Sequence, residues 1–274
     1  MNNVNIILDT DIGNSWDDQF AIAYLLKNDD LFNIEAITIE PFKHTESESI
    51  IDNQELSYNE ILTISKLLNK NIENKIYRFS NNESVEKIIE IANTNDKTYI
   101  LAIGGLTNIS QAINMNPNII NKIEIIWLGG NSIEYGNNKE FNFMQDTDAT
   151  LNVINSNVNM TIIPARNVAS DLMIKLEELE QRLDMSYELS KYLCNKFVND
   201  NFYGIKTQRV IWDISVIAYL INKDWFETKE IKGLSLAKDL KYYIDFNKQT
   251  RVIVEKLDSK KIYDNVFAKL NKGF

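Results

Sequence analysis

Histidine and cysteine are nearly missing from this 274-residue chain, which has one of each, His44 and Cys194. A zinc site built from the usual nitrogen and sulfur ligands is therefore nearly excluded. One cysteine cannot close an internal disulfide, so a reducing cytoplasm is the expected setting, with Cys194 a buried thiol in an apolar helical pattern. Only three prolines and nine glycines are present, and no Pro/Gly/Ser-rich stretch reads as a linker. A single domain over residues 1–274 is expected. No apolar run reaches the ~18 residues that a membrane span needs. The opening residues, MNNVNIILDTD, lack a basic leader and read as a first strand, not a signal peptide. Basic stripes are missing too: net charge is −10, and the lysines are scattered among glutamates. Such a surface repels phosphate backbones, so nucleic acid and membrane are set aside in favour of a small-molecule partner.

What is present is an alternation of short apolar runs with longer amphipathic ones. Residues 4–8, 34–39, 76–79, 99–103, 123–128 and 160–163 read as strands. Residues 18–27, 58–68, 85–92, 108–115 and 149–155 read as helices between them. This β–α alternation predicts an α/β fold with a mostly parallel open sheet, Rossmann-like, with helices on both faces. Beyond residue 165 the pattern changes to helices at 176–183, 187–198 and 214–221, then strands at 240–245 and 252–257 and a last helix at 263–270. Two polar stretches, 41–56 and 129–142, read as long loops, and long loops in such domains usually carry function.

In an open parallel sheet, ligands sit at the carboxyl ends of the strands. Directly after the first strand come Asp9, Asp11, Asp17 and Asp18, with Gly13 among them. Four carboxylates so close repel one another unless a cation neutralises them. An all-oxygen site suits calcium or magnesium. The competing reading makes Asp17 and Asp18 N-capping and first-turn acids of the next helix, and Asp9 and Asp11 turn formers. The run is not an EF-hand, since no glutamate stands at the twelfth loop position, and not a phosphate-binding loop, since no Gly-Lys-Ser/Thr follows.

ILDTDIG followed by Asp17-Asp18 and an apolar helix resembles the first motif of the inosine–uridine preferring nucleoside hydrolases. The resemblance continues in order with AIGGLTNIS from Ala102, then Trp127-Leu128-Gly129-Gly130, then Glu140-Phe141-Asn142 and Asp146, then Trp212-Asp213 before an apolar helix. It implies the nucleoside hydrolase fold, a ribonucleoside substrate cut at its N-glycosidic bond in nucleoside salvage, a bound Ca2+, and a homodimer or homotetramer. It also implies site roles. Asp11, Asp18, Asp213 and the carbonyl of Ile103 would hold the ion, and Asp17 would take a proton from the attacking water. Asp17, Glu140 and Asn142 would bind ribose hydroxyls, helped by Asn131 or Asn137.

Three departures from the family pattern bear on the site. Asn14, Ser15 and Trp16 stand between Gly13 and Asp17, where the family's best-known members have one residue. Trp212 replaces the histidine before the late aspartate, which in purine-preferring members protonates the leaving base, and an indole cannot supply that proton. The one histidine, His44, lies instead in the loop after the second strand. Trp212, Trp16, Tyr203 and Phe202 are candidates to stack on a base, and His44, Arg209 and Arg166 are candidate polar contacts. The missing acid predicts a base that does not need it: a good leaving group, a pyrimidine, or a 7-deazapurine such as that of queuosine. Two other readings remain open at this point. A haloacid dehalogenase-type phosphatase also starts from Asp-x-Asp, but Gly13 stands where it needs Thr or Val. A degenerate member would bind nucleoside or metal without turnover.

Overall fold

A computed structural model of the chain describes residues 4–43, 49–199 and 207–272. The candidate contacts His44, Phe202 and Tyr203 lie outside the described residues. The elements run β1 (Val4–Thr10), α1 (Asp18–Leu26), β2 (Phe32–Ile39), α2 (Ile50–Leu67), β3 (Ile76–Tyr77), α3 (Glu83–Thr94), β4 (Thr98–Ala102), α4 (Thr107–Met115) and β5 (Ile123–Leu128). They continue with α5 (Phe141–Gln145), α6 (Thr147–Asn155), β6 (Asn159–Ile163), β7 (Met173–Lys175), α7 (Leu176–Arg182), α8 (Glu188–Asn199), β8 (Gln208–Val210) and α9 (Ile214–Ile221). The last elements are β9 (Phe226–Lys232), β10 (Leu234–Leu236), β11 (Tyr242–Ile244), β12 (Thr250–Leu257) and α10 (Ser259–Leu270).

Eight strands form one sheet in the order β3-β2-β1-β4-β5-β6-β12-β9. All pairs are parallel except the outermost, β12 with β9. Ile6, Ile7 and Leu8 of β1 are all fully buried. Such unbroken apolar runs are what central parallel strands need when both faces are covered. One apolar cluster joins β1 and β2 to α1, α2, α9 and α10, and a second joins β4 and β5 to α3, α4 and α6. The chain runs outward from β1 through β2 to β3 and then returns to β4 on the other side, so the strand order reverses between β1 and β4. The carboxyl ends of those two strands flank the crevice where such sheets bind ligands.

The expected alternation and the helix at 214–221 stand as read, while β7, β8 and β10 and the following features differ. The stretch 41–56 is not loop throughout, because α2 starts at Ile50, with Ser49 accepting a hydrogen bond from Asp52 N at 3.2 Å as its N-cap. The stretch 129–142 ends in α5, capped by Glu140. The expected strand at 240–245 is β11, paired antiparallel with β10 outside the main sheet. β9 was not anticipated: its sequence FETKEIK buries only Phe226, as an edge strand allows.

Candidate active site

The aspartates arrive at the crevice on the end of β1 and the turn after it. Asp9, Asp11, Asp17 and Asp18 are all buried, and so is Asp213 at the start of α9. Asp17 and Asp213 occupy the N-cap positions of α1 and α9, yet neither side chain makes a capping hydrogen bond. The carboxylates face one another instead: oxygens of Asp17, Asp18 and Asp213 lie within 4.8 Å of each other. The N-capping reading of Asp17 is thereby set aside. Asp11 lines the same cavity but stands outside that closest trio.

The turn that gathers them is held by its own polar groups. Gly13 has φ +101°, which only glycine adopts readily, and Ser57 Oγ donates to the carbonyl of Ile12. Thr10 Oγ1 donates to Asp18 Oδ1 at 2.6 Å, and Asn14 Nδ2 to Asp11 Oδ2 at 3.1 Å. Asp17 is oriented from two sides, accepting from Ser15 Oγ on one oxygen and from Trp212 N at 3.1 Å on the other. Gly104 lets the loop after β4 approach closely, since a Cβ there would sit 3.0 Å from Asp11 Oδ1. Trp127 Nε1 fixes that loop by donating to Gly104 O at 3.0 Å.

Burial is the first cause of the site's electrostatics. It lifts Asp11 to about 7, with repulsion from Asp17 and Glu140 adding to it. Asp18 and Asp213 are pushed well above the usual carboxylate range by burial, then by repulsion from their aspartate neighbours. Below this cluster lies a second buried pair. Asp9 and Glu40 adjoin each other, and burial raises both carboxyls above the usual carboxylate range. Asn108 ties the pair down: its N donates to Glu40 Oε1 at 2.8 Å and its Nδ2 to Asp9 Oδ1 at 2.9 Å. Asn108 lies in the AIGGLTNIS segment, but its contact with Glu40 spans 68 positions and follows no local pattern.

The carboxylates open onto a cavity of about 200 Å³. Asp11, Asp17, Asp18, Ile103, Asn131, Glu140, Asn142, Trp212 and Asp213 all line it, as do Asn14, Ser15, Tyr135, Lys139 and Arg166. Glu140 is spent largely on backbone: it accepts from Gly130 N, Asn142 N and Phe143 N at 3.0–3.1 Å. Asn142 Nδ2 donates to the carbonyls of Ile103 and Leu128 at 3.1 and 3.0 Å. Three expected residues do not reach the cavity. Asn137 stays on the surface, and Arg209 is buried 5.7 Å from Trp16 and 5.8 Å from Phe197, measured to the ring centroids. Trp16 packs edge-on against Phe20 and Phe197, in the core and not at the cavity.

Fold and site together describe a nucleoside hydrolase-like crevice, and comparison with known proteins gives the family. The model of the inosine-uridine preferring nucleoside hydrolase family matches residues 46–264, and the chain belongs to that family. The aspartate turn precedes the matched segment and joins it through the position of β1 between β2 and β4. Among curated relatives, the pyrimidine-specific ribonucleoside hydrolase RihB of Escherichia coli O1:K1 is 30% identical over 159 residues, 55% of this chain and 50% of the relative. The same figures hold for RihB of Escherichia fergusonii, so the chain spans about half the length of the curated relatives it matches. Solved structures share the fold over nearly the whole chain. An inosine-guanosine nucleoside hydrolase superposes with a TM-score of 0.80 at 14% identity, covering 99% of this chain and 100% of its own. A purine-preferring ribonucleoside hydrolase from Gardnerella vaginalis gives 0.78 at 17% identity, covering 97% and 98%.

Proposed function

We infer that this protein hydrolyses the N-glycosidic bond of a ribonucleoside, releasing base and ribose. The observation that carries the reading is the buried carboxylate cluster at the strand-order reversal, open to a cavity and held by hydrogen bonds that leave its acids facing one another. Family membership supports it.

The donor set fits a hard divalent cation. Several buried acids that raise one another's proton affinity, with only oxygen donors around them, are what calcium stabilises. Asp11, Asp18, Asp213 and the Ile103 carbonyl are the residues that would hold it. When bound, calcium supplies Lewis acidity that orients water and sugar hydroxyls and makes that water more acidic.

The remaining work falls to the chain. Asp17, held by Ser15 and Trp212 N, accepts the water proton. The carboxylates stabilise positive charge developing on the ribose ring. Asn131, Glu140 and Asn142, which line the cavity, would bind ribose hydroxyls. Trp212, half-buried at the cavity with Arg166 5.6 Å from its ring centroid, forms an apolar wall for the base but no acid for it. A base that leaves without protonation at its five-membered ring fits this wall, 7-deazapurines such as that of queuosine included. The expected setting is a homodimer or homotetramer acting as one domain per chain in a reducing cytoplasm. Among the described residues no helix is long and apolar enough to cross a membrane.

The test is a screen of purine, pyrimidine and 7-deazapurine nucleosides for free ribose in calcium-containing buffer. Ribose released by wild type and not by Asp213→Ala supports the reading. Binding without turnover across the whole set would make the protein a binder instead.

A further inference from the structure

The cavity is acidic in its depth and basic at its mouth. Its buried aspartates contrast with Lys139 and Arg166, which are exposed and are the only cations among the described residues that line it. Among the described residues neither cation has a carboxylate within ion-pair distance. Both stand on one hydrogen-bonded frame. Asn131 pairs with Arg166 in a parallel β-bridge, and Ser132 N donates to Arg166 O at 3.3 Å. Asn131 Nδ2 donates to Asn137 O at 3.0 Å, and Asn137 Oδ1 accepts from Lys139 N at 3.0 Å. The Arg166 guanidinium lies 5.6 Å from the Trp212 ring centroid, which keeps it at the cavity's edge.

A chain with net charge −10 repels anions overall, and this pair puts positive charge where a ligand enters. A ribonucleoside seated with its sugar among the buried acids meets these cations with whatever part of it faces the mouth. We propose that this site takes ribonucleosides carrying an anionic group, a phosphate or a carboxylate, at the end that faces Lys139 and Arg166. The inference rests on the ribonucleoside reading above. The anion has two sources, a phosphate ester on the ribose C5′ or a carboxylate on the base. With a 5′-monophosphate the C1′–N bond breaks, a water oxygen bonds C1′, one water proton ends on the base nitrogen, and ribose 5-phosphate keeps its ester.

The experiment compares kcat/KM for uridine, uridine 5′-monophosphate and 5-carboxymethyluridine with the calcium-loaded protein. It also measures binding of the three by calorimetry to the Asp17→Asn variant. The expected result is a preference of about tenfold for one anionic compound over uridine, carried mainly by KM. Salt at about 0.5 M should shrink it, because exposed charges are screened over a few ångströms. Lys139→Met and Arg166→Met should each move the anionic-to-neutral ratio toward one. Preference for the monophosphate assigns the anion to C5′, and preference for the carboxymethyl compound assigns it to the base. Equal or better values for uridine in both turnover and binding overturn the proposal and leave nucleoside hydrolysis standing. Absence of turnover for all three, with the anionic preference still seen in calorimetry, sinks the hydrolytic reading and keeps the anion site.

Discussion

Stripping divalent cations from this protein should invert the usual effect of mild acid on stability. Burial raises Asp11 from 3.8 to about 7 in the folded protein without metal. The unfolded chain has no such burial, so between those two values the folded state binds more protons than the unfolded one. Stability is then fully present below about 3.8 and is lost as pH rises through about 7. One pKa unit is worth about 1.4 kcal/mol. From pH 5 to pH 8 Asp11 traverses about two units, so its share is about 3 kcal/mol. At roughly 2–4 °C per kcal/mol for a domain of this size, that is a fall of about 6–12 °C in Tm. Asp18 and Asp213 are raised for the same reasons and act in the same direction. The acids whose values are lowered, Glu55, Asp184, Asp258 and Asp264, work in the opposite sense. Their contribution is lost only as pH falls through their own lowered values, below this window. The assay is thermal unfolding by calorimetry at pH 5, 6, 7 and 8, on cation-stripped protein with and without added calcium. Calcium at about 100 times its Kd should add about 2.7 kcal/mol, most visibly at pH 8 where its ligands are ionised. A Tm of the cation-stripped protein that climbs from pH 5 to pH 8, or that ignores calcium at pH 8, would refute the reasoning.

Three further outcomes follow from the same geometry. Asp17→Asn keeps the fold and substrate binding but lowers kcat by roughly 100- to 10,000-fold, and steady-state kinetics showing near-normal turnover would move the base to another aspartate. Gly104→Ala, whose new methyl would press on Asp11, weakens calcium binding in a direct titration while circular dichroism stays native; unchanged affinity would show that Asp11 is not constrained there. In a side-by-side kcat/KM comparison, inosine is poorer than uridine or queuosine because Trp212 donates no proton to a purine ring nitrogen; a tenfold advantage for inosine would mean that another residue serves as the acid.

Much of the fold and part of the site can be read from local sequence, and the boundary has physical causes. β1 is legible because Ile6, Ile7 and Leu8 are buried on both faces and acids follow at once. β9 is not, because an edge strand with one buried residue shows no apolar alternation. The first turns of α2 look like loop because Asp52, Asn53 and Gln54 are polar and Ile51 and Leu56 point outward. The aspartates at residues 9–18 and Asp213 announce themselves by type and by their place after a strand or before a helix. Glu40 beneath them does not, since its role arises only where β2 lies beside β1. Asn137 and Arg209 carry suitable chemistry, but the backbone aims one at solvent and the other, on β8, into an aromatic cluster.

The central claim, cation-assisted hydrolysis of a ribonucleoside by the aspartate cluster, is tested most directly by returning calcium to cation-stripped protein in phosphate-free buffer while following free base and ribose. The account predicts no release without the cation, saturable restoration with it, and equal amounts of base and ribose. Full release from the stripped protein, release that requires phosphate, or no release from any nucleoside would contradict it.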